Sequence, residues 1–154
     1  MKLTSVFHTG FTVSDIERSI AFYRDALGMQ LVHRQEGTAP YLATVTGFPG
    51  VRLQIAFLKI SPDDPHVLEL LQYVSHPAEP TDRATNRPGN GHLCFKVDDI
   101  HAGYRTLCAK GIPVISPPAL ITAGVNEGAY AIYLRDPDGF TIELYQPAPT
   151  RGAT

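Results

Sequence analysis

The sequence has little charge and no tryptophan, and the shortage of charge excludes several classes of protein. Charged residues make up 18% of the 154 residues, and the formal net charge is −2. Lys and Arg are scattered without a basic run, so we expect neither a nucleic-acid partner nor binding to a membrane surface. A highly charged coiled coil is excluded by the same shortage, and the 44% of hydrophobic residues excludes a disordered chain.

Long hydrophobic runs and cysteines are also scarce. The longest uncharged stretch, residues 111–126, contains Pro113, Pro117 and Pro118 and cannot form a spanning helix. No sustained apolar region precedes His8, so we expect no signal peptide and a cytoplasmic protein. The two cysteines, Cys94 and Cys108, are predicted to remain thiols.

An internal repeat organises the chain. When His8 is placed on His92, residues 8–16 and 92–100 match at Phe, Val, Asp and Ile positions. Apolar residues alternate in both segments, which predicts a strand with one apolar face in each copy. Because successive side chains alternate in a strand, His8 and His92 lie on the opposite face.

A helix and further strands follow in each copy. Ser14 and Glu17 form a predicted capping box, and the apolar spacing predicts a helix that ends at Gly28. The second copy repeats this helix from Ile100 to Gly111. The predicted strands that follow are residues 30–34, 41–46, 51–60 and 66–73 in copy one, and 113–115, 130–134 and 140–145 in copy two.

The last strands of the two copies also match. Leu68-Glu69-Leu70 resembles Ile142-Glu143-Leu144, so Glu69 corresponds to Glu143. The predicted fold is α+β, with two paired βαβββ modules, because neither module alone buries much core. The predicted boundaries are residues 1–75 for the first module, 76–89 for a proline-containing linker, 90–147 for the second module and 148–154 for a C-terminal tail.

Each copy therefore contributes one His on its first strand and one Glu on its last. Imidazole and carboxylate ligands suit Zn, Ni, Co, Mn or Fe(II), and two carboxylates balance the charge of a divalent ion. A Glu among apolar residues is seldom buried without a partner, and a surface His and Glu have no reason to recur in register. The repeat thus favours one metal site made of His8, Glu69, His92 and Glu143.

Other chemistries find no support in the sequence. The remaining histidines have no counterpart in the other copy, and surface positions are expected for them. No Gly-x-Ser-x-Gly motif occurs, and no glycine-rich phosphate loop precedes a helix.

These motifs resemble those of the vicinal oxygen chelate superfamily, which includes glyoxalase I, methylmalonyl-CoA epimerase, extradiol dioxygenases and bleomycin-binding proteins. The resembling features are His8 with residues 13–28, Leu68-Glu69-Leu70, residues 91–100 and residues 136–144. The resemblance implies a curled mixed sheet around a central metal cavity. Its ligand positions fall on His8, Glu69, His92 and Glu143, a set most similar to that of glyoxalase I.

The resemblance also implies a mechanism. A metal-dependent lyase or isomerase of this type chelates two neighbouring oxygens of a small substrate, possibly a thiol conjugate, and stabilises an enediolate. Glu143 or Glu69 removes the proton α to the carbonyl, and the sequence leads us to favour Glu143. Arg52 and Gln54, on one face of the strand 51–60, are candidate substrate-binding residues.

Two other functions remain possible for a protein with this fold. One is a different metalloenzyme, an epimerase or an iron dioxygenase, and the other is a metal-free binding protein of the bleomycin-resistance type. The resemblance also implies a homodimer, because members of the superfamily of this length are often homodimers. We expect its sites to draw their ligands either from one chain or from two.

Overall fold

The computed structural model describes residues 1–149 of the chain, which divides into two compact units. The units are Met1–Thr81 and Asp82–Thr154, and the division falls within the segment 76–89 that was predicted as a linker. Of the predicted tail 148–154, residues 150–154 lie outside the described part. Within residues 1–149, no helix is both long and apolar enough to cross a bilayer.

The first unit contains four strands and two short α-helices. In chain order its elements are β1 (His8–Thr12), α1 (Ile16–Ala21) continued by a π-helical turn (Phe22–Ala26), β2 (Gln30–Gly37), α2 (Pro40–Thr46), β3 (Leu53–Lys59) and β4 (Val67–Tyr73). The strands form one sheet in the order β1-β4-β3-β2, in which β1 and β4 are parallel and the other pairs antiparallel.

The second unit repeats this arrangement. Its elements are β5 (His92–Lys96), α3 (Ile100–Ala109), β6 (Ala119–Leu120), β7 (Tyr130–Arg135) and β8 (Thr141–Gln146). The sheet order is β5-β8-β7-β6, again with the first pair parallel. The α+β class and the βαβββ pattern predicted from the sequence are confirmed as two four-stranded mixed sheets.

The segment 41–46 was predicted as a strand, and this prediction was wrong. The segment forms helix α2, which begins with Pro40 in its first turn and ends at Gly47 in the left-handed conformation (φ 77°). Proline is pre-set for the first helical turn and glycine for this helix end. The Thr46 hydroxyl donates to the Leu42 carbonyl within the helix, at 2.7 Å.

The segment 113–115 was also predicted as a strand, and the structure reduces it to one isolated bridge between Val114 and Leu134. The outer strand of this sheet is instead the two-residue β6. Pro113, Pro117 and Pro118 surround the bridge, and because proline has no N–H to donate, a continuous ladder cannot form there.

Helix α1 begins one residue later than the sequence predicted. Asp15, rather than Ser14, is the N-cap, and its carboxylate accepts from the Glu17 and Arg18 amides at 3.0 and 3.1 Å. Asp99 occupies the same position before α3 and accepts from the Ala102 amide at 2.9 Å. Each carboxylate satisfies amides that have no partner within the helix.

A glutamine on the last strand of each unit reaches the start of the helix. Gln72 accepts from the Ile16 amide at 3.0 Å, and Gln146 accepts from the Ile100 amide at 2.8 Å. Gln72 follows Glu69 by three residues, and Gln146 follows Glu143 by three, so each glutamine lies on the face of its strand opposite the glutamate. The helix of each unit is therefore tied to one face of the sheet, and the glutamate faces the other way.

The hydrophobic core lies between that face and the helix. In the first unit Leu58, Leu70 and Tyr23 are fully buried, and in the second unit Leu134 and Ile142 are. Burial of each such side chain contributes about 1.5–3 kcal/mol. The core thus fixes which face of each sheet is left for other contacts.

Candidate metal centre

The first unit brings His8 and Glu69 together on neighbouring parallel strands. Glu69 on β4 is in register with Gly10 on β1, and His8 precedes Gly10 by two residues on the same face. His8 Nε2 lies 3.3 Å from Glu69 Oε2. The glutamate side chain is 17% exposed and the histidine side chain 42% exposed, so the pair is open to solvent on the imidazole side.

The second unit repeats the pair with His92 and Glu143. Glu143 on β8 is in register with Cys94 on β5, and His92 precedes Cys94 by two residues. His92 Nε2 lies 3.0 Å from Glu143 Oε2, and the two side chains are 46% and 16% exposed. The two pairs therefore lie on corresponding strands, in corresponding registers, and are buried to nearly the same extent.

Strand alternation explains why each pair forms. The helix covers one face of each sheet, so apolar residues of the first and last strands point toward the helix and the His and Glu point away. A nitrogen and an oxygen donor then lie side by side, which suits first-row divalent metals. Among residues 1–149, no group of three or more His, Cys, Asp or Glu side chains gathers closely enough to hold a metal ion.

The neighbours of Glu143 are polar. The Cys94 thiol forms a hydrogen bond with Glu143; partial burial, then the Glu143 charge and this hydrogen bond, raise the pKa of the thiol to about 11. Tyr133 on β7 is in register with Glu143, and its ring centroid lies 5.3 Å from that of His92. Burial, and then the charge of Glu143, raise the pKa of Tyr133.

The strand neighbours in register with Glu69 are Gly10 and Phe57, which carry no polar side-chain group. Gly10 stands where the second unit has Cys94, and a Cβ added there would lie 3.5 Å from Glu69 Oε2. Phe57 on β3 is in register with Glu69, but its ring stacks on His33 at 5.7 Å. The ring of His8 contacts the exposed Phe7 edge-on at 5.4 Å.

An apolar surface continues from Phe57 along the Glu69 face of the first sheet. It consists of a buried cluster together with partly buried residues that pack against it: Leu42, Val51, Leu53 and Ile55, with Phe57, Leu71 and Tyr73. Leu42 belongs to α2, so the helix that was predicted as a strand covers one end of this face. The carboxylate of Glu69 therefore borders an apolar region.

Arg52 and Gln54 do not lie with the His8–Glu69 pair. Gln54 is in register with Gln72, whose side chain reaches the helix, so it lies on the face opposite Glu69. The Arg52 backbone amide donates to the Ser75 hydroxyl at 2.8 Å. The sequence showed that the two residues alternate with apolar ones, but only the strand register reveals which face carries Glu69.

Tyr133 was missed by the sequence reasoning, although a signal for it exists. The tight turn Asp136-Pro137-Asp138-Gly139 joins β7 to β8, and pairing counted outward from this turn places Tyr133 opposite Glu143. Cys94 follows His92 by two residues on β5 and therefore shares its face. The hydrogen bond that connects Cys94 to Glu143 depends on the parallel register of β5 and β8, which no local motif reveals.

Comparison with known proteins gives the class to which this fold and these paired residues belong. Residues 5–144 match the model of the Glyoxalase/Bleomycin resistance protein/Dioxygenase superfamily, and the chain belongs to this family. This match confirms the resemblance drawn from the sequence. A solved structure of a glyoxalase family protein from Bacillus cereus has a TM-score of 0.81 at 22% identity, covering 96% of this chain and 97% of that one. That likeness supports the fold.

Among the relatives are proteins named as lactoylglutathione lyases. A probable lactoylglutathione lyase of Vibrio cholerae is 30% identical over 92% of this chain and 89% of its own length. A probable chloroplastic lactoylglutathione lyase of Arabidopsis thaliana is 29% identical over 94% of this chain. The chain spans only 36–44% of the length of the plant relatives it matches.

Proposed function

We propose that this protein is a divalent-metal-dependent lyase or isomerase of glyoxalase type. The observation that carries the proposal is the presence of two His–Glu pairs, His8–Glu69 and His92–Glu143, on corresponding strands and in corresponding registers. An ordinary surface ion pair has no reason to recur in this way, because exposed pairs contribute little to stability. The lactoylglutathione lyases among the relatives support the same type of chemistry.

The proposed metal site uses both pairs. Each unit supplies one imidazole nitrogen and one carboxylate, and together they provide four ligands whose two negative charges match a divalent ion. The pairs come from one chain or from two copies in a homodimer. The donor set fits Zn, Ni, Co, Mn and Fe, and the ion would act as a Lewis acid toward two neighbouring substrate oxygens.

The protein's own carboxylates would handle the proton. Glu69 and Glu143 are mostly buried, at 17% and 16% exposure, and their carboxylates lie 3.3 and 3.0 Å from the imidazole nitrogens of His8 and His92. A carboxylate that moves away from its imidazole can take a proton from the carbon α to a carbonyl. The apolar surface beside Glu69 would limit water at that position.

The proposed substrate is a small thiol conjugate with oxygens on adjacent carbons. The names of the relatives point to S-lactoylglutathione, in which a hydroxyl and a thioester carbonyl are on neighbouring carbons. Its lactoyl α-hydrogen is the proton that such a site would exchange with solvent.

The first test is metal content per chain in tag-free protein. We expect close to one divalent ion per His₂Glu₂ set in the wild type and its loss in a Glu69→Gln, Glu143→Gln double variant. The matched control is Glu79→Gln with Glu127→Gln, which changes two exposed glutamates and should keep the metal. Absence of metal from the wild type, even after reconstitution with each candidate ion, would refute the proposal.

The second test is exchange of deuterium from solvent into the lactoyl α-carbon of S-lactoylglutathione. We expect exchange with the metal-loaded wild type and none with the double variant. Metal binding without exchange would reject the thiol-conjugate substrate while leaving the metal site supported.

A further inference from the structure

The first unit carries a polar pair, on the Glu69 face of its sheet, that the proposed metal site does not use. His33 and Gln35 lie two residues apart on the outer strand β2, and both are exposed. Their partners in register on β3 are Phe57 and Ile55, which belong to the apolar surface that borders Glu69. His33 and Gln35 therefore give this apolar surface a polar end.

A shift in strand pairing turns His33 toward this face. Val32 is an extra residue in β2, because the pairing with β3 shifts between Leu31 and His33. In a regular ladder His33 would lie opposite Ala56, on the helix side of the sheet, whereas the shift places it opposite Phe57. Bulges of this kind are over-represented beside active sites, where they re-aim a side chain.

Two contacts orient the imidazole of His33. Its ring stacks on that of Phe57, with centroids 5.7 Å apart and an interplanar angle of 26°. Its Nε2 lies 3.1 Å from Gln35 Oε1, and because a carboxamide oxygen only accepts, Nε2 donates its hydrogen there. In the neutral ring Nδ1 is then an acceptor, and within residues 1–149 no hydrogen bond reaches it. The ring is held in place with one acceptor left for a ligand.

The distance between His33 and the His8–Glu69 pair sets the size of that ligand. Glu69, Phe57 and His33 are in register on three successive strands, β4, β3 and β2. Neighbouring strands are about 4.8 Å apart, so the backbones at Glu69 and His33 are about 10 Å apart. An extended tripeptide spans about 10 Å as well. The second unit offers no counterpart to His33, because its outer strand is the two-residue β6.

We propose that His33 is a substrate-binding residue whose Nδ1 accepts a hydrogen bond from an N–H group in the peptide part of a thiol conjugate. Gln35 is a positioning residue that acts by orienting the imidazole. The ring of Phe57 lies between His33 and Glu69 and packs against the apolar atoms of the conjugate. This inference rests on the function proposed above and deepens it, since it names the part of the substrate that the first unit recognises.

The inference is tested by calorimetric titration of purified full-length protein with two thioesters. S-Lactoylglutathione has peptide N–H groups in its thiol part, whereas S-ethyl thiolactate has the same lactoyl group and no such donor. We expect His33→Leu to raise the dissociation constant for S-lactoylglutathione about fivefold, as for the loss of one hydrogen bond, and to leave that for S-ethyl thiolactate unchanged. His33→Asn, whose amide oxygen also accepts, should restore most of the affinity.

The matched control is His101→Leu, which removes an exposed histidine whose ring contacts Tyr130 in the second unit. This variant should bind both thioesters as the wild type does. Gln35→Leu should weaken the binding of S-lactoylglutathione less than His33→Leu does, because the imidazole loses its orientation but keeps Nδ1. If His33→Leu and His33→Asn both lose affinity and both unfold at a lower urea concentration than the wild type, the role of His33 is structural and the inference is overturned.

The remaining outcomes separate this inference from the proposed function. If His33→Leu binds S-lactoylglutathione as tightly as the wild type, or loses both thioesters equally, the inference is overturned. It is also overturned if the wild type does not bind S-lactoylglutathione. A protein without metal that binds S-lactoylglutathione through His33 would reject the metal-dependent function and keep the inference. A metal-containing protein that exchanges deuterium, and whose His33→Leu variant binds as the wild type does, would keep the function and reject the inference.

Discussion

Replacement of Gln146 by methionine should destabilise the second unit without disturbing its fold. Gln146 Oε1 accepts from the Ile100 amide at 2.8 Å, and Ile100 is fully buried. The Asp99 carboxylate accepts from Ala102 and is not bonded to Ile100, so the N-cap does not replace the lost partner. Methionine keeps the side-chain length and removes only the acceptor, which leaves the first amide of helix α3 without its bond.

The cost follows from what happens to that amide. A buried donor without a partner costs about 1–3 kcal/mol, and a net hydrogen bond contributes about 0.5–1.5 kcal/mol. The bond is only partly buried, so water reaches part of the site. We therefore expect Gln146→Met to lower the free energy of unfolding by about 1–2 kcal/mol. Gln72→Met, which removes the 3.0 Å bond to the Ile16 amide, should cost a similar amount in the first unit.

Urea unfolding followed by circular dichroism measures this change. The slope of the free energy of unfolding against urea concentration should be unaltered, which would indicate that the variant exposes the same surface on unfolding. Gln30→Met, at an exposed position of β2, is the control for the loss of a glutamine and should change stability by less than about 0.5 kcal/mol. A Gln146→Met variant as stable as this control would show that water satisfies the Ile100 amide, and the role assigned to the glutamine would be wrong.

Three further predictions concern backbone conformation, a helix cap and a thiol. Gly47→Ala should lower the free energy of unfolding by about 1 kcal/mol because φ is 77° there. Gly103→Ala within α3 should raise the free energy of unfolding by about 0.5–1 kcal/mol, because alanine favours a helix and a Cβ there meets open space. Urea unfolding of the two variants should therefore show changes in stability of opposite sign. The hydrogen bond from the Ala102 amide lowers the pKa of Asp99. The ionised Asp99 carboxylate therefore stabilises the folded protein above pH 3.8, the value for an unfolded chain, and this stabilisation is lost as the pH falls through the lower pKa of the folded state. Asp99→Ala should be less stable than the wild type at pH 7, and urea unfolding in acid should show equal stability for the two proteins. With a pKa of about 11, Cys94 in metal-free protein should react with iodoacetamide at pH 8 at about 1% of the rate of a free cysteine, as measured by peptide mass spectrometry; a comparable rate would contradict the raised pKa.

The internal repeat accounts for most of what the sequence could predict. Matching His8 with His92 and Glu69 with Glu143 located the first and last strands of both units, and alternation placed each residue on the face away from the helix. These predictions depend on local pattern and on comparison within the chain. They needed no knowledge of which strands pair.

The errors arose where local pattern and tertiary context compete. Residues 41–46 contain Tyr, Val and Thr, which favour strands, but Pro40 and Gly47 bound the segment as a helix and Leu42 anchors it to the sheet. Arg52 and Gln54 were placed by alternation alone, and alternation does not say which face holds Glu69 until β3 is paired with β4.

The repeat also explains why the sequence could not distinguish the surroundings of the two glutamates. Comparison within the chain reveals what the two units share, so it makes Glu69 and Glu143 equivalent. What distinguishes them lies at positions where the units differ, Gly10 against Cys94 and Phe57 against Tyr133, and these become neighbours of the glutamates only through sheet pairing. Shared positions therefore indicate where a metal would bind, and the differing positions give the two glutamates different neighbours.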